Sequence, residues 1–448
     1  MPSAIAILTQ DPTLADLTAA HGSPSRLFDC VGALLDHASS DEFSVVGIDL
    51  RDVGYQHSAF TSAMALRDQF PPRVRLVAIT SGGMSVEQSR QAVLFADSEL
   101  DLGDVKTQNW PAILSPVVRA ERPALYSVAH GQHPPILTFS VSYRNVLERM
   151  QRIASMPIPI LITGETGTGK STTAHYVHTW SNRVDEPFMI LACGAVPGEL
   201  LESDLFGHMR GAFTSANQDR TGRLEAVAGG SLLLDEIDLL HLDQQAKLLR
   251  AVETSEYEPV GSVETRKTRA RFIFASNIDL TAAVAQQRFR ADLYYRINVL
   301  DLALPALRKR REDIPLIAVN CLSEVSGQMK SNELRVSLSF LWKLAEYDWP
   351  GNIREMKNRI LRAALLSPTG LLREQDLGTE LVATIPHTVS NSGPSLRQDR
   401  REVERASIER VLNDYGQNRT AAAKALGISR ATLYKKMSEY GVTYPLTN

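Results

Sequence analysis

The sequence predicts an α/β protein of several domains that ends in a small all-α domain, and three features lead to this prediction. Short apolar segments alternate with helical patterns in residues 1–118, as in a parallel sheet flanked by helices. A second alternation of this kind begins with the apolar segment "IPILITG", which runs into a glycine-rich loop. Near the end of the chain, two short helical patterns flank Gly427.

The bulk composition is that of a soluble globular protein. The 448 residues suffice for about three domains, and 44% hydrophobic with 22% charged residues is ordinary. A net charge of −3 excludes a uniformly basic nucleic-acid-binding surface but allows a local basic element. Cys30, Cys193 and Cys321 are too widely spaced for a zinc site or a disulfide framework. The chain has no signal peptide and no apolar run of about 18 residues, so we expect a cytoplasmic protein without a membrane segment.

Domain boundaries are predicted where the composition changes. Two segments without periodicity, rich in Pro, Ser or Gly, are predicted to be linkers. The predicted order is a front domain at 1–118, a linker at 119–136, an α/β core at 137–304, a helical part at 305–378, a second linker at 379–398 and a tail domain at 399–448.

The glycine-rich loop after "IPILITG" fits the pattern G-x-x-x-x-G-K-[ST], in which backbone N–H groups and a helix N-terminus bind phosphates. Lys170 is placed to reach the β- and γ-phosphates of a nucleoside triphosphate, and the Ser171 hydroxyl is placed to bind Mg²⁺. The alternative, a chance glycine-rich turn, is disfavoured by the position between strand and helix. The predicted phosphate-binding residues are Gly164, Glu165, Thr166, Gly167, Thr168, Gly169, Lys170 and Ser171.

Two further predicted strands end in polar residues that can complete a nucleotide site. "GGSLLLDEID" brings Asp235 and Glu236 to the carboxyl edge of the sheet, where Asp235 can order the Mg²⁺ shell and Glu236 can polarise water. "ARFIFASN" ends in Asn277, which can hold that water or sense the γ-phosphate. A plain strand-ending turn is the alternative for Asn277.

Two arginines follow in "RFRADLYYRIN". Arg290 and Arg296 are about two helical turns apart. Exposed arginines usually form ion pairs on a solvated face, but in a ring they can reach the γ-phosphate of a neighbouring subunit.

These motifs together resemble the AAA+ domain of bacterial enhancer-binding proteins, the sigma-54-dependent transcriptional activators. The similar segments run in the family's order from Phe139 to Leu377 and include "ELLESDLFGHMRGAFTSA", "GGSLLLDEID", "FRADLYYRINVL", "LRKRREDIP" and "YDWPGNIREMKN". The resemblance implies an AAA+ P-loop NTPase with a helical lid. It also implies a hexameric ring that hydrolyses ATP and remodels sigma-54 RNA polymerase holoenzyme.

The resemblance assigns roles by position. Asp235 and Glu236 correspond to the Walker B pair, Asn277 to sensor I, and Arg290 and Arg296 to the arginines that act on the neighbouring subunit. Arg354 in "WPGNIRE" corresponds to the sensor II arginine that binds nucleotide, with a lid salt bridge as the alternative. The sigma-54 contact loop corresponds to Gly211, Ala212, Phe213, Thr214, Ser215 and Ala216.

In this loop the resemblance implies an apolar contact from Phe213 and a hydrogen bond from Thr214, both made to sigma-54. A hairpin that packs Phe213 inward is the alternative.

Three residues depart from the family pattern. Ser215 stands where the family has Gly, so a loop tip that needs positive φ would be strained by roughly 1 kcal/mol. Ala192 stands where the family usually has an Asn that pairs with the Walker B Glu, so coupling of nucleotide state to the loop must run differently or be weaker. Ser171 stands where the family more often has Glu, and it fits the general phosphate-binding pattern better.

The tail resembles the Fis-type helix-turn-helix of the same family. "NRTAAAKALGISRATLYKKMSEYG" sets five basic residues against one acid, which predicts binding to the phosphates of double-stranded DNA at enhancer sites. The preceding helix "REVERASIERVLNDY" is a candidate dimer interface. A small helical packing module is the alternative. The candidate DNA-contacting residues are Arg419, Arg430, Thr432, Tyr434 and Lys435.

The front domain resembles a receiver domain of two-component signalling, with a flavodoxin-like fold. Asp49 is the candidate phosphoacceptor, Thr80 the candidate switch hydroxyl and Lys106 the candidate late lysine. The acidic pair expected after the first strand is replaced by Thr9 and Gln10, so Mg²⁺ would be poorly held. We therefore favour an atypical receiver that is controlled by a ligand, by a partner or not at all.

Two functional hypotheses remain open at this point. The first is an ATP-hydrolysing, DNA-binding activator of sigma-54 polymerase that assembles from dimers into a hexamer, with Mg²⁺ as cofactor. The second is a regulator of the same fold that binds ATP or a second messenger and acts through DNA binding alone. Some relatives with degenerate receivers bind cyclic di-GMP, which makes a small-molecule second messenger a further candidate ligand.

Overall fold

The structure is a computed structural model. It describes residues 4–20, 25–37, 43–51, 67–104, 113, 123–131, 133–195, 198–213, 216, 218–328 and 334–377. Three sets of predicted functional residues lie outside these ranges: Lys106, the Thr214–Ser215 pair, and every candidate DNA-contacting residue of the tail.

The N-terminal domain is built on a five-stranded parallel sheet with the order β2-β1-β3-β4-β6. Alternation of short apolar strands and helices predicted this arrangement, and the structure confirms it. Its elements are β1 (Ala4–Leu8), α1 (Thr13–Ala20), β2 (Ser25–Phe28), α2 (Val31–Leu35), β3 (Phe43–Asp49), β4 (Arg75–Thr80), β5 (Met84–Ser85), α3 (Val86–Phe95), β6 (Ser98–Asp101) and a 3₁₀ turn at Leu102–Asp104.

An antiparallel hairpin follows within the segment predicted to be a linker. Strands β7 (Tyr126–His130) and β8 (His133–Thr138) pair with each other, and His130 stacks on Trp180 with ring centroids 5.2 Å apart. The segment lacks strong periodicity because the hairpin is short and only partly buried. In the structure the hairpin packs on the following domain through the contact of His130 with Trp180.

The central domain contains a second five-stranded parallel sheet, with the order β10-β11-β14-β9-β15. Leu232, Leu233 and Leu234 of its second strand are fully buried, as expected for a strand covered on both faces. The elements are α4 (Val141–Ile153), β9 (Ile160–Thr163), α5 (Lys170–Thr179), β10 (Phe188–Ala192), α6 (Gly198–Phe206), α7 (Arg223–Ala226), β11 (Ser231–Asp235), α8 (Leu242–Thr254), β12 (Glu256–Tyr257), β13 (Arg266–Lys267), β14 (Arg271–Ser276), α9 (Leu280–Ala285), α10 (Ala291–Ile297) and β15 (Asp301–Ala303), with a 3₁₀ turn at Ile237–Leu239.

A helical lid follows the second sheet. Its long helices pack around Trp349, which is fully buried and donates its indole N–H to the Leu344 carbonyl at 2.7 Å. The elements are α11 (Ile314–Gln328), β16 (Arg335–Val336), α12 (Leu338–Glu346), α13 (Asn352–Leu366) and β17 (Leu371–Leu372), with 3₁₀ turns at Leu307–Lys309, Arg311–Asp313 and Glu374–Leu377. No helix among the described residues is long and apolar enough to cross a membrane.

The buried Asp313 ties the lid to the start of α4. Its carboxylate accepts hydrogen bonds from the Thr138 hydroxyl at 2.7 Å and from the Phe139 backbone N–H at 2.6 Å. Burial raises the pKa of Asp313, and these hydrogen bonds act in the opposite direction. The carboxylate thus satisfies donors that would otherwise be buried without partners.

The N-terminal domain and the lid share a three-stranded sheet with the order β17-β16-β5. Met84 and Ser85 pair antiparallel with Val336 and Arg335. Beside this sheet, the Glu99 carboxylate accepts hydrogen bonds from the Leu338 N–H at 2.7 Å and the Thr80 hydroxyl at 2.9 Å. One continuous hydrophobic core contains side chains of both domains.

Candidate active site

The glycine-rich loop connects β9 to α5 and is shaped by close approach of the lid. Gly167 has φ of +80°, and a Cβ there would lie 2.4 Å from the Gly351 carbonyl oxygen. Only glycine fits this position, because any side chain would be both strained and in collision with backbone. The backbone of the loop is therefore packed directly against the lid at Gly167.

Lys170 is buried at the centre of the loop. Its ammonium donates to the Gly164 carbonyl at 2.8 Å, to the Glu165 carbonyl at 3.1 Å and to the side-chain oxygen of Asn277. Burial lowers the pKa of Lys170, and the charge of Asp235 opposes that shift. The ammonium thus occupies the position from which a lysine neutralises the phosphates of a bound nucleotide.

The carboxyl ends of β11 and β14 bring the predicted acidic and amide groups to the same place. The Ser171 hydroxyl donates to Asp235 Oδ2 at 3.1 Å, so the two predicted Mg²⁺ ligands are neighbours. Asn277 donates from Nδ2 to Glu236 Oε1 at 3.5 Å. These oxygen ligands suit Mg²⁺, which prefers carboxylate, hydroxyl and water oxygens.

Side chains of the lid and the segment before it hold the loop from outside. Arg308 forms a two-pronged ion pair with Glu165, one bond being 2.7 Å long, and Arg308 lowers the pKa of Glu165 to about 2. Arg310 donates to the Thr168 carbonyl at 3.1 Å. Neither arginine was among the predicted site residues, although the four consecutive basic residues in the segment "LRKRREDIP" are a signal that could have suggested them.

Asn352 makes the most extensive of these contacts. It is fully buried with φ of +52°, and its amide N–H group donates to the Thr166 carbonyl at 3.0 Å and to Glu165 Oε2 at 3.2 Å. Its amide oxygen accepts from the Leu307 N–H at 2.7 Å.

Arg354, two residues after Asn352, is exposed and has its Cβ beside Gly167. A position next to the loop agrees with the predicted nucleotide-binding role of Arg354, which stays a prediction.

Arg290 and Arg296 are separate from this cluster. Arg290 pairs with Asp292 at 2.7 Å, and Arg296 is exposed and donates to the Glu253 carbonyl at 3.5 Å. Among the described residues, neither arginine hydrogen-bonds to the phosphate-binding loop of its own chain. Both lie on the surface formed by α10, and their predicted action on a neighbouring subunit stays a prediction.

Comparisons with known proteins cover most of the chain. The sigma-54 interaction domain family matches residues 136–303, the AAA+ ATPase lid domain family matches 308–393, and the Fis family of bacterial regulatory proteins matches 399–440. The regulatory protein AtoC of Escherichia coli is 40% identical over 316 residues, which are 68% of this chain and 68% of AtoC. The response regulator PilR of Pseudomonas aeruginosa is 34% identical over 382 residues, which are 83% of each chain.

The chain belongs to the sigma-54-dependent transcriptional activators. The activator binds nucleotide and DNA, interacts with sigma-54, forms oligomers and activates transcription by an ATP-driven mechanism. The hypothesis of a regulator that works by DNA binding alone is not favoured. A crystal structure of NtrX from Brucella abortus in complex with ATP has the same fold, with a TM-score of 0.51 and 23% identity over 99% of this chain and 100% of that chain.

The predicted sigma-54 contact loop of the activator follows His208. The Gly211 N–H donates to the Ala216 carbonyl, and the Ala216 N–H donates to the Phe213 carbonyl, both at 2.9 Å. The Phe213 ring meets the His208 ring edge-on at 4.8 Å and is half-buried. In this conformation the Phe213 ring contacts His208 and stays partly exposed, and its predicted contact with sigma-54 stays a prediction.

The N-terminal domain of the activator carries an ion-pair cluster that the sequence did not reveal. Arg51 donates to both oxygens of the buried Asp49, at 2.9 Å and 2.7 Å, and to Asp11 Oδ2 at 2.9 Å. Thr9 donates to Asp49 Oδ2 at 2.7 Å. Hydrogen bonds from Thr13 and Arg51 lower the pKa of Asp11 to about 2. The guanidinium thus lies between the two carboxylates.

We expect Asn352→Asp to destabilise the activator by about 2 kcal/mol, because the new carboxylate loses two donated hydrogen bonds and repels Glu165. Thermal and urea unfolding measure this change. The exposed Asn182→Asp is the matched control and should unfold like the wild type. Equal stability of the two variants would contradict the role given to Asn352.

Proposed function

We propose that the activator hydrolyses ATP with Mg²⁺ at the carboxyl edge of the central sheet, at the borders between subunits of a hexameric ring. The observation that carries this proposal is the convergence of Lys170, Ser171, Asp235, Glu236 and Asn277 on one loop. These side chains come from three different strand ends and supply each group that phosphoryl transfer to water needs.

Each side chain has a chemical task in the proposed reaction. Lys170 neutralises the β- and γ-phosphates, and Glu236 accepts a hydrogen bond from the attacking water and orients it. Ser171 and Asp235 would hold Mg²⁺, which supplies charge neutralisation at the phosphate oxygens. Arg290 and Arg296 would reach the γ-phosphate of the adjacent subunit, since their own loop lies out of hydrogen-bonding range.

The contact with sigma-54 is proposed for Phe213 and Thr214. Among the described residues, the Phe213 ring has one aromatic contact, edge-on with His208, and such a pair is worth about 1 kcal/mol beyond its buried area. An ATP-driven movement has ample free energy to break it. The freed Phe213 would then meet an apolar surface of sigma-54, while the Thr214 hydroxyl would supply a directed hydrogen bond.

DNA binding is proposed for the tail domain at 399–448. The basic second helix would contact the major groove through Arg430, Thr432, Tyr434 and Lys435, with Arg419 on a phosphate. Binding at a distant enhancer site would raise the local concentration of the activator near the polymerase.

Lys170→Ala should abolish ATP turnover, because it removes the only lysine of the loop and with it the neutralisation of the phosphates. Phosphate release measured with purified protein tests this. Lys267→Ala is the control, since that side chain is 78% exposed and outside the site. Turnover by Lys170→Ala at the wild-type rate would refute the proposed hydrolysis site.

Thr214→Ala should leave ATP turnover within about twofold of the wild type and reduce promoter opening at least tenfold, since one directed hydrogen bond to sigma-54 is lost. Open complexes formed with purified sigma-54 polymerase and ATP are the measurement. If ATP turnover fell as much as promoter opening, the loop would be a structural part of the ATPase.

We also propose that Asp49 is an ion-pair partner of Arg51 and is not a phosphoacceptor. Both oxygens of Asp49 are occupied by the guanidinium, and a phosphoryl donor needs one of them as nucleophile. A metal ion would also have to displace a fixed positive charge. The input to this domain therefore comes from something other than phosphoryl transfer to Asp49.

Acetyl phosphate should leave no phosphoryl group on Asp49 when intact mass is measured. Arg51→Ala should lower the free energy of unfolding by about 3 kcal/mol, because a buried carboxylate loses its partner. Adding Asp49→Ala to Arg51→Ala should restore part of the lost free energy of unfolding, because the unpaired buried carboxylate is then removed. The surface variant Arg149→Ala should change the free energy of unfolding little. A stable acyl phosphate on the wild-type protein would contradict the proposal.

A further inference from the structure

We infer that a cavity between the N-terminal domain and the lid binds a small, uncharged, mainly apolar molecule that carries a hydrogen-bond acceptor. The cavity has a volume of about 470 Å³ and is lined by residues of both domains and of the segment before α4. Cavities of this size at a boundary between domains are typical binding places for small ligands. The inference is independent of the proposed ATP hydrolysis.

The walls of the cavity are largely apolar and come from three parts of the chain. The N-terminal domain supplies Val93 and Ala96, which are 3% and 5% exposed. The lid supplies the buried Pro315 and the ring of Trp342, and the segment before α4 supplies the buried Phe139. An apolar ligand would displace water from these side chains, which is the main favourable contribution to its binding.

The basic side chain of the cavity, Arg67, already has partners in the protein. Its guanidinium donates to the Leu94 carbonyl at 2.8 Å and to the Pro123 carbonyl. It also lies over the Phe139 ring, 4.9 Å from the ring centroid. Arg67 therefore contributes to the structure of the wall and does not require an anionic ligand.

The two acidic side chains of the cavity do not call for a cationic ligand either. The Asp97 carboxylate accepts a hydrogen bond from the Leu76 N–H at 2.9 Å, and Glu312 is exposed to solvent. A charged ligand would lose its hydration without meeting a buried opposite charge that lacks a partner. The cavity thus favours an uncharged molecule.

Trp342 supplies the polar group that selects for a hydrogen-bond acceptor. Its indole N–H is buried and has no hydrogen-bond partner among the described residues. By contrast, the indole N–H of Trp349 in the same lid donates to the Leu344 carbonyl. A buried donor without an acceptor costs free energy, and a ligand that brings a carbonyl oxygen or a ring nitrogen to Trp342 would remove this cost.

The position of the cavity connects it to the phosphate-binding loop. Pro315 in its wall lies in the same short segment as Arg310, which donates to a carbonyl of the loop at 3.1 Å. Between them, Asp313 accepts a hydrogen bond from the N–H of Phe139, another residue of the wall. A ligand in the cavity would therefore contact the part of the lid that also holds the loop.

Prodan, an uncharged naphthalene with a ketone oxygen, is a suitable probe, because its fluorescence shifts to the blue in apolar surroundings. It would be titrated into the full chain with saturating ADP, which keeps the probe out of the nucleotide site. We expect saturable binding with a Kd on the order of 100 µM or tighter. Phenylnaphthylamine, which is also uncharged but has no carbonyl, is the comparison probe.

Two variants locate the site. Ala96→Phe places a ring in the cavity and should raise the Kd of both probes at least about tenfold, because a packed interior leaves no room for both rings. Trp342→Phe keeps an aromatic wall but removes the N–H, so the Kd of prodan should rise about fivefold and that of phenylnaphthylamine less than about twofold. Trp180→Phe changes a buried tryptophan outside the cavity and is the matched control, with both Kd values unchanged.

Three results would overturn the inference. The wild type would show no saturable binding of prodan, or Ala96→Phe would leave its Kd unchanged, or Trp342→Phe would affect both probes equally. If Ala96→Phe does not fold, the difference between the two probes in Trp342→Phe still decides. These measurements do not involve ATP turnover, so their failure is distinct from failure of the proposed hydrolysis.

Discussion

The buried charge of Lys170 is the constraint on which the rest of the site depends. An ammonium surrounded by protein is costly unless it is paired, and here it meets two loop carbonyls and the Asn277 amide. The carboxylates of Asp235, Glu236 and Asp238, at and just after the end of β11, favour its charged form. The strand order that places β14 between β9 and β11 therefore also brings the groups that stabilise the charge of this lysine close to it.

The same charge explains why the lid is joined so closely to the loop. A loop whose carbonyl groups turn toward Lys170 needs external partners for its other polar groups. Asn352 and Arg310 bind the Thr166 and Thr168 carbonyls, and Arg308 neutralises Glu165. The loop is thus preorganised by residues that follow it by more than a hundred positions, as the separations of 186 and 142 residues for two of these bonds indicate.

Sequence patterns predicted those parts of the fold that depend on local periodicity and short motifs. The strands that end at Asp235 and before Asn277 were predicted from apolar runs, and the parallel sheets are confirmed. The Arg51 cluster was not predicted because Asp11 lies 40 residues away and follows the expected acidic positions by one or two residues. The hairpin that begins in the predicted linker 119–136 was missed because its strands are short and the segment, with three Pro and one Gly, has no clear periodicity. Roles of Arg290, Arg296 and the tail depend on other subunits or on DNA, so no intrachain pattern or contact determines them.

The sheet formed by β5, β16 and β17 connects the N-terminal domain to the lid. Main-chain hydrogen bonds between β5 and β16 and a common hydrophobic core join the N-terminal domain firmly to the lid. Any movement of the lid relative to the central sheet would therefore carry the N-terminal domain with it. A molecule that binds the N-terminal domain would thus act on the lid, and through the lid on the phosphate-binding loop, without approaching the phosphates.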